Sequence, residues 1–178
     1  MRSRRIQLGY VLLGILVAIV GLSFGGPLSE IGGTPGTGPA DSTSTQTGSQ
    51  TALATVTVSD QGGTELGEIQ AMVADSPAER YTGLSDTASL EPDEGMVFVY
   101  PDEAERTYVM RDMAFPLDMI FVASNGTITT IHHAPVENDS DLTGYRGTAK
   151  WVIEVNEGWT TAHNVSVGDE GVVELPAE

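Results

Sequence analysis

From residue 53 onward, short apolar runs alternate with turn residues, and this pattern restricts the chain to a β-rich fold. Runs rich in Val, Ile, Thr and aromatic residues, bounded by Gly, Asp, Asn and Pro, are typical of strands. Ser124-Asn125-Gly126 is a strong signal for a tight turn between two of them. About eight strands are predicted, over residues 53–58, 66–74, 95–100, 106–113, 117–123, 127–133, 148–155 and 171–175.

One short helix is expected between the second and third runs. Ser76-Pro77-Ala78-Glu79 has the form of a capping box with Pro at the first helical position, and Gly83 should end the helix. About eight short strands with one or two short helices favour a mainly β fold, a sandwich or a barrel.

The first 52 residues do not resemble the rest of the chain. Arg2, Arg4 and Arg5 precede an uncharged run over residues 8–24, so residues 1–28 are predicted to be a membrane anchor with a cytoplasmic N-terminus. The alternative is a signal peptide that is cleaved, leaving a secreted protein. Residues 29–52 form a Gly/Ser/Thr/Pro linker, and residues 53–178 are the predicted extracellular domain.

The charge of the chain limits its partners. All 25 acidic residues lie at Glu30 or beyond and face five cations there, which gives this part a formal charge of −20. Nucleic-acid binding needs a basic surface, so we expect no nucleic-acid partner. The scarcity of Lys is typical of a halophilic protein, in which molar salt screens such a surface.

The sequence offers little for catalysis or metal binding. It has no Cys and no Gly-x-Ser-x-Gly elbow, and we expect no cofactor. His132 and His133 are adjacent on a predicted strand, so they should point to opposite faces. Glu137, Asp139 and Asp141 alternate in a loop and are weak Ca²⁺ candidates, but the later ligands of an EF-hand loop are absent.

Two carboxylates fall within predicted strands among apolar neighbours. Asp118 shares a strand face with Ile120 and Val122, and Glu154 lies between Ile153 and Val155. A buried charge without a partner is costly. We therefore predict that Asp118 is paired with Arg111 or Arg80 beside an apolar pocket.

At these positions the chain resembles the domain-of-unknown-function 192 family. The resemblance extends over about residues 66–175 and departs from the family pattern at Ser85, Val109 and Asp112, where Met, Trp and Asn are usual. It implies a jelly-roll-like β-sandwich and no established activity. The matching residues are Arg80, Gly83, Leu84, Gly95, Met96, Phe98, Met110, Arg111, Pro116, Leu117, Asp118, Phe121, Glu154, Gly158, Gly168 and Asp169.

Three functional hypotheses follow, and the first, which is not enzymatic, is favoured. The domain could bind a small ligand, a glycan or an envelope partner; it could be a hydrolase that uses Asp118 and Glu154 as paired carboxylates; or it could be purely structural. The candidate ligand-binding residues are Arg80, Met110, Arg111, Asp118 and Glu154. Asn125, Asn138 and Asn164 begin glycosylation sequons.

Overall fold

The computed structural model describes residues 53–138 and 141–177. In these residues the chain forms seven strands and two short helices. They are β1 (Leu53–Ser59), β2 (Glu65–Ala74), α1 (Pro77–Thr82), β3 (Glu94–Tyr108), β4 (Leu117–Val122), β5 (Ile128–Ala134), β6 (Tyr145–Asn156), α2 (Trp159–Ala162) and β7 (Glu170–Glu174).

All seven strands belong to one sheet, in the order β5-β4-β6-β3-β2-β1-β7. β2 and β3 are parallel and α1 connects them, whereas the other pairs are antiparallel. The two outer strands also meet. The amide of Ile128 donates to the carbonyl of Asp169 at 2.8 Å, and that of Gly171 donates to the carbonyl of Gly126 at 2.8 Å. The sheet is therefore curled so that its two edges meet at the start of β5 and of β7.

The sheet buries apolar side chains on both faces. One cluster contains residues from all of the strands, such as Val56, Ile120 and Ile153. The other lies on the opposite face, around Phe98, Met119 and Phe121. Every residue of β4 is buried, because both clusters extend over this strand.

The predicted capping box starts α1. The hydroxyl of Ser76 accepts from the amide of Glu79 at 3.2 Å, and the carboxylate of Glu79 accepts from the amide of Ser76 at 2.9 Å. Pro77 occupies the first turn, and Gly83 ends the helix with φ 53°, a value that L residues with a side chain rarely adopt. This helix and the loop after it cover the second apolar face.

The prediction of a mainly β domain with one or two short helices is confirmed. Two of the predicted strands, at 95–100 and 106–113, are one long strand, β3, with an irregularity between Val99 and Ala104. β3 ends at Tyr108, and in the turn that follows Asp112 adopts the left-handed conformation with φ 55°. The described strands form a single sheet, so the two-sheet sandwich is not confirmed.

The predicted anchor, residues 1–28, and the linker, residues 29–52, lie outside the described residues. Among those that are described, no helix is long and apolar enough to cross a membrane.

Candidate ligand-binding pocket

A pocket of about 160 Å³ lies on the second apolar face, between α1, β3 and β6. Four of the five predicted ligand-binding residues line it, namely Arg80, Met110, Arg111 and Glu154. They converge because α1, the turn after β3 and the middle of β6 all cover this face. The remaining lining residues are Tyr81, Thr82, Gly83, Leu84, Ser85, Phe98, Tyr100, Thr107, Tyr108, Val109, Met113 and Leu117.

Glu154 is the buried acidic group of the pocket. It lies on β6 between Met96 of β3 and Met119 of β4, and only 5% of its surface is exposed. No described residue donates a hydrogen bond to its carboxyl group or forms an ion pair with it within 4.0 Å. Burial raises the pKa of Glu154 to about 8, so at neutral pH the group is largely protonated and can donate.

Two tyrosines form a wall of the pocket. Their hydroxyls, on Tyr100 and Tyr108, are 2.9 Å apart, and the Tyr108 ring contacts Phe98 edge-on with centroids 4.9 Å apart. Burial raises the pKa of Tyr108 above its usual range, so this phenol stays neutral. The guanidinium carbons of Arg106 and Arg80 lie 3.8 and 4.9 Å from the centroid of the Tyr100 ring.

Arg111 lies at the rim. Its guanidinium carbon is 4.0 Å from the centroid of the Tyr81 ring, and its Nη2 donates to the carbonyl of Tyr81. The hydroxyl of Ser85 donates to the carbonyl of Arg111 at 3.0 Å, which joins the segment after α1 to the turn after β3. Tyr81 and Val109 are exposed apolar residues of this rim.

Asp118 is not in the pocket, and its predicted pairing with Arg111 or Arg80 is wrong. The side chain is fully buried on the other face of the sheet. Its Oδ1 accepts from Nδ1 of His133 at 2.6 Å, and its Oδ2 accepts from the amide and hydroxyl of Thr160 at 2.9 and 2.6 Å. The two arginines instead contact backbone carbonyls and aromatic rings.

The positions of Asp118 and Glu154 contradict the paired-carboxylate hydrolase. In the β4–β6 register Asp118 is opposite Val155, whereas Glu154 is opposite Met119. Side chains alternate along a strand, so the two carboxyl groups point to opposite faces of the sheet. They cannot flank one scissile bond, as glycoside hydrolysis by two carboxylates requires.

A sequence profile of the domain-of-unknown-function 192 (DUF192) family, described as an uncharacterized ACR, matches residues 57–173. The chain belongs to the DUF192 family. A comparison with curated proteins finds no significant match.

Two solved structures are similar to this DUF192 domain. One is a proposed transcription regulator from Sinorhizobium meliloti 1021, with 30% identity and a TM-score of 0.62, over 68% of this chain and 94% of the other. The second is a protein of unknown function from Novosphingobium aromaticivorans DSM 12444, with 28% identity and a TM-score of 0.60, over 67% and 84%.

Two of the three departures from the expected family pattern line the pocket, and the third is adjacent to it in sequence. Ser85 and Val109 line it, and Asp112 follows Arg111. Asp112 has φ 55°, a conformation that Asn and Asp tolerate better than most residues, which accounts for Asn at this position of the pattern. Its carboxylate is 3.8 Å from Nε of Arg111, but 81% of its side chain is exposed.

Residues outside the pocket have other surroundings. His132 and His133 point to opposite faces as predicted, since His132 packs against Phe121 and His133 contacts Asp118. Hydrogen bonds from the side chain and the amide of Thr143, the second at 2.9 Å, lower the pKa of Glu137. Asp139 lies outside the described residues, and in the part of the chain that is described no three acidic or His side chains could hold a metal.

The three sequon asparagines are exposed, and their glycosylation stays a prediction. Asn125 also accepts from the amide of Thr127 at 3.0 Å through its side-chain oxygen, which fixes the turn between β4 and β5.

The tyrosines of the pocket were not predicted. Tyr100 lies in the irregular part of β3 and Tyr108 follows it, so their proximity depends on how the strand bends there. The available signal was the scarcity of cations: Arg80 and Arg106 both lie against Tyr100, and Arg readily stacks on aromatic rings.

Proposed function

We propose that this DUF192 domain is a non-enzymatic binding module that holds a small polar ligand in the pocket between α1, β3 and β6. The observation that supports this most directly is Glu154, a buried carboxyl group that faces the pocket without a partner among the described residues. The small part of Glu154 that stays accessible opens into the pocket, so a ligand there can form a hydrogen bond with this carboxyl group.

The pocket suits a small ligand. Its volume of about 160 Å³ is comparable to that of an engineered apolar cavity of about 150 Å³ that binds benzene. Its walls combine apolar side chains with polar groups, and the polar part of the accessible lining is somewhat the larger. A single ring or a short chain with one or two polar groups would fill it.

The similarity to a proposed transcription regulator does not extend this proposal to nucleic acid. Beyond residue 29 the chain has a formal charge of −20, and phosphate backbones are bound by basic surfaces. A small-molecule ligand is consistent with this charge, since the arginines are concentrated at the pocket.

The location of the module is part of the proposal. The basic residues before the apolar run favour an anchored domain on the outer side of the cell membrane, or a secreted domain if the segment is cleaved. Protease added to intact cells should then remove the domain. Digestion only after lysis would contradict the orientation.

Replacing Glu154 separates a binding role from a structural one. If Glu154 serves a ligand, Glu154→Leu should preserve or raise the free energy of unfolding, because it replaces a largely desolvated carboxyl group by an apolar side chain. It should also abolish fragment binding, measured by ligand-observed NMR with a library of small polar compounds. Gains in stability with loss of function are typical of binding sites.

A matched control is Glu105→Leu, since Glu105 is exposed on β3 outside the pocket. This change should leave binding intact and alter stability by less than about 0.5 kcal/mol. If Glu154→Leu instead destabilises the protein, and no fragment binds to the wild type, the purely structural hypothesis is favoured.

A further inference from the structure

Cations are concentrated around the pocket of this otherwise acidic domain. Only five cations follow residue 29, and Arg80 and Arg111 are two of them, both lining the pocket. A third, Arg106, stacks on Tyr100, which also lines it, and forms an ion pair with Asp102 at 3.4 Å. This distribution differs from that of a solvated surface, on which cations would be interspersed with the many carboxylates.

The two lining arginines are held by neutral partners. Nη1 of Arg80 donates to the carbonyls of Asp75 and Val99, the second at 3.0 Å, and Nη2 of Arg111 donates to the carbonyl of Tyr81. No described carboxylate lies within 4.0 Å of Arg80. The contact of Arg111 with the exposed Asp112, at 3.8 Å, is weak in water.

The positive charge at the rim is therefore largely uncompensated, and it is fixed in position. Each guanidinium already has its hydrogen bonds and ring contacts before any ligand arrives, so little side-chain entropy remains to be lost on binding. A guanidinium has five N–H donors, and only some of them are used here, so both arginines have donors left for a ligand.

We infer that the ligand of this pocket carries an oxyanion group, a carboxylate or a phosphate, that binds Arg80 and Arg111 while its apolar body packs on the exposed lining residues Tyr81 and Val109. This inference rests on the proposed binding function. The planar guanidinium matches carboxylate and phosphate oxygens better than other cations do. Glu154 adds a hydrogen bond from the inner end of the pocket.

Glu154 does not cancel the charge of the arginines. Burial raises its pKa to about 8, so near pH 7 the group is mostly a neutral acid. An anion at the rim is thus not repelled by it, and a carbonyl or hydroxyl oxygen of the ligand can accept its proton in a hydrogen bond.

Three probes that share a phenyl ring test the inference on the full chain: benzoate, phenyl phosphate and benzamide, which is neutral and has nearly the shape of benzoate. Titration calorimetry at pH 7 and constant salt should show that at least one anionic probe binds about 10- to 100-fold more tightly than benzamide, as one charged hydrogen bond is expected to contribute. Whichever anionic probe binds with the higher affinity then indicates whether the natural ligand carries a carboxylate or a phosphate.

Charge-matched variants locate the effect. Arg111→Gln should weaken the preferred anionic probe about 10- to 100-fold and leave benzamide unchanged. Arg146→Gln removes the same charge from an exposed residue outside the pocket and should change affinity less than about twofold, since exposed charges at a distance are screened. Arg80→Gln should weaken the anionic probe as Arg111→Gln does. If Arg80→Gln does not fold, Arg80→Lys takes its place; it keeps the charge and should keep part of the affinity.

Each other outcome contradicts a specific step. If benzamide binds as tightly as both anionic probes, the pocket is a ligand site but the oxyanion inference is wrong. If Arg146→Gln weakens benzoate as much as Arg111→Gln does, the attraction is the field of the whole surface and the inference is also wrong. If none of the three probes binds, the inference fails, and the fragment library decides separately whether the binding function fails with it.

Discussion

Nδ1 of His133 donates to Oδ1 of Asp118 across the β4–β5 pair, at 2.6 Å. The two residues differ in exposure: Asp118 is fully buried, whereas 55% of the His133 side chain is exposed. Together with the amide and hydroxyl of Thr160, His133 supplies the buried carboxylate with three donors. Asp118 thereby joins β4, β5 and the start of α2 without any arginine.

Removing the Thr160 hydroxyl should destabilise the domain through Asp118. Thr160→Val leaves the carboxylate buried with one donor fewer, and we expect a loss of about 1.5–3 kcal/mol in the free energy of unfolding. In an Asp118→Asn background the same change should cost at least about 1 kcal/mol less, because the two residues interact. Thr161→Val, at the exposed next position, is the control and should have little effect. The cycle of single and double variants is measured by denaturant unfolding. If the losses in free energy of unfolding simply add, the hydroxyl does not act through Asp118.

The burial of Asp118 could be predicted from the sequence, but its partners could not. A carboxylate that alternates with Ile120 and Val122 on a strand must face the core, whatever the topology. Its partner His133 depends on the register of β5, and Thr160 depends on α2, a single turn with little sequence signal. The scarcity of arginines suggested an ion pair, whereas short-range hydrogen bonds satisfied the charge.

The pocket was more accessible to prediction because its residues come from local motifs. The capping box fixes α1 and therefore the position of Arg80, and the left-handed turn at Asp112 fixes Arg111. The face of Glu154 follows from strand alternation alone. The two tyrosine hydroxyls could not be placed, since their contact depends on the irregular pairing of β3 with β6.

Gly95 should not tolerate a side chain. A Cβ atom at this position would lie 2.5 Å from the backbone oxygen of Glu154, on the neighbouring strand β6. Since a backbone atom cannot move aside alone, Gly95→Ala should shift β6 and cost about 1–3 kcal/mol or more. Gly171→Ala is the matched control, because its nearest contact is an ordinary 3.4 Å to Val122. Equal melting temperatures of the two variants would contradict this account of Gly95.

Salt should stabilise the domain through its acidic surface. Raising KCl from about 0.1 M to about 1 M shortens the Debye length from about 10 Å to about 3 Å, which screens the repulsion among carboxylates. The midpoint of thermal unfolding should therefore rise over this range. Replacing the exposed residues Glu65 and Glu174 by Gln should reduce this increase. Sucrose is the control, because it stabilises without screening charge and should raise the midpoint equally in the wild type and the variant. A midpoint that is independent of KCl would contradict the halophilic interpretation.

Stability should fall with rising pH because of Glu154. Its native pKa is about 8 and its ordinary value is 4.5, so between these pH values the folded protein keeps a proton that the unfolded chain releases. The contribution is complete below about pH 4.5 and is lost as pH rises to about 8, at about 1.4 kcal/mol per pKa unit. Glu154→Gln cannot ionise, so its stability relative to wild type should increase by several kcal/mol from pH 5 to about pH 9. Glu105→Gln, at an exposed site, should give a flat difference. The free energies of unfolding are measured by urea denaturation across this pH range. If the difference between Glu154→Gln and wild type is also independent of pH, the carboxyl group is solvated or paired at neutral pH. It would then have no proton to donate in the pocket.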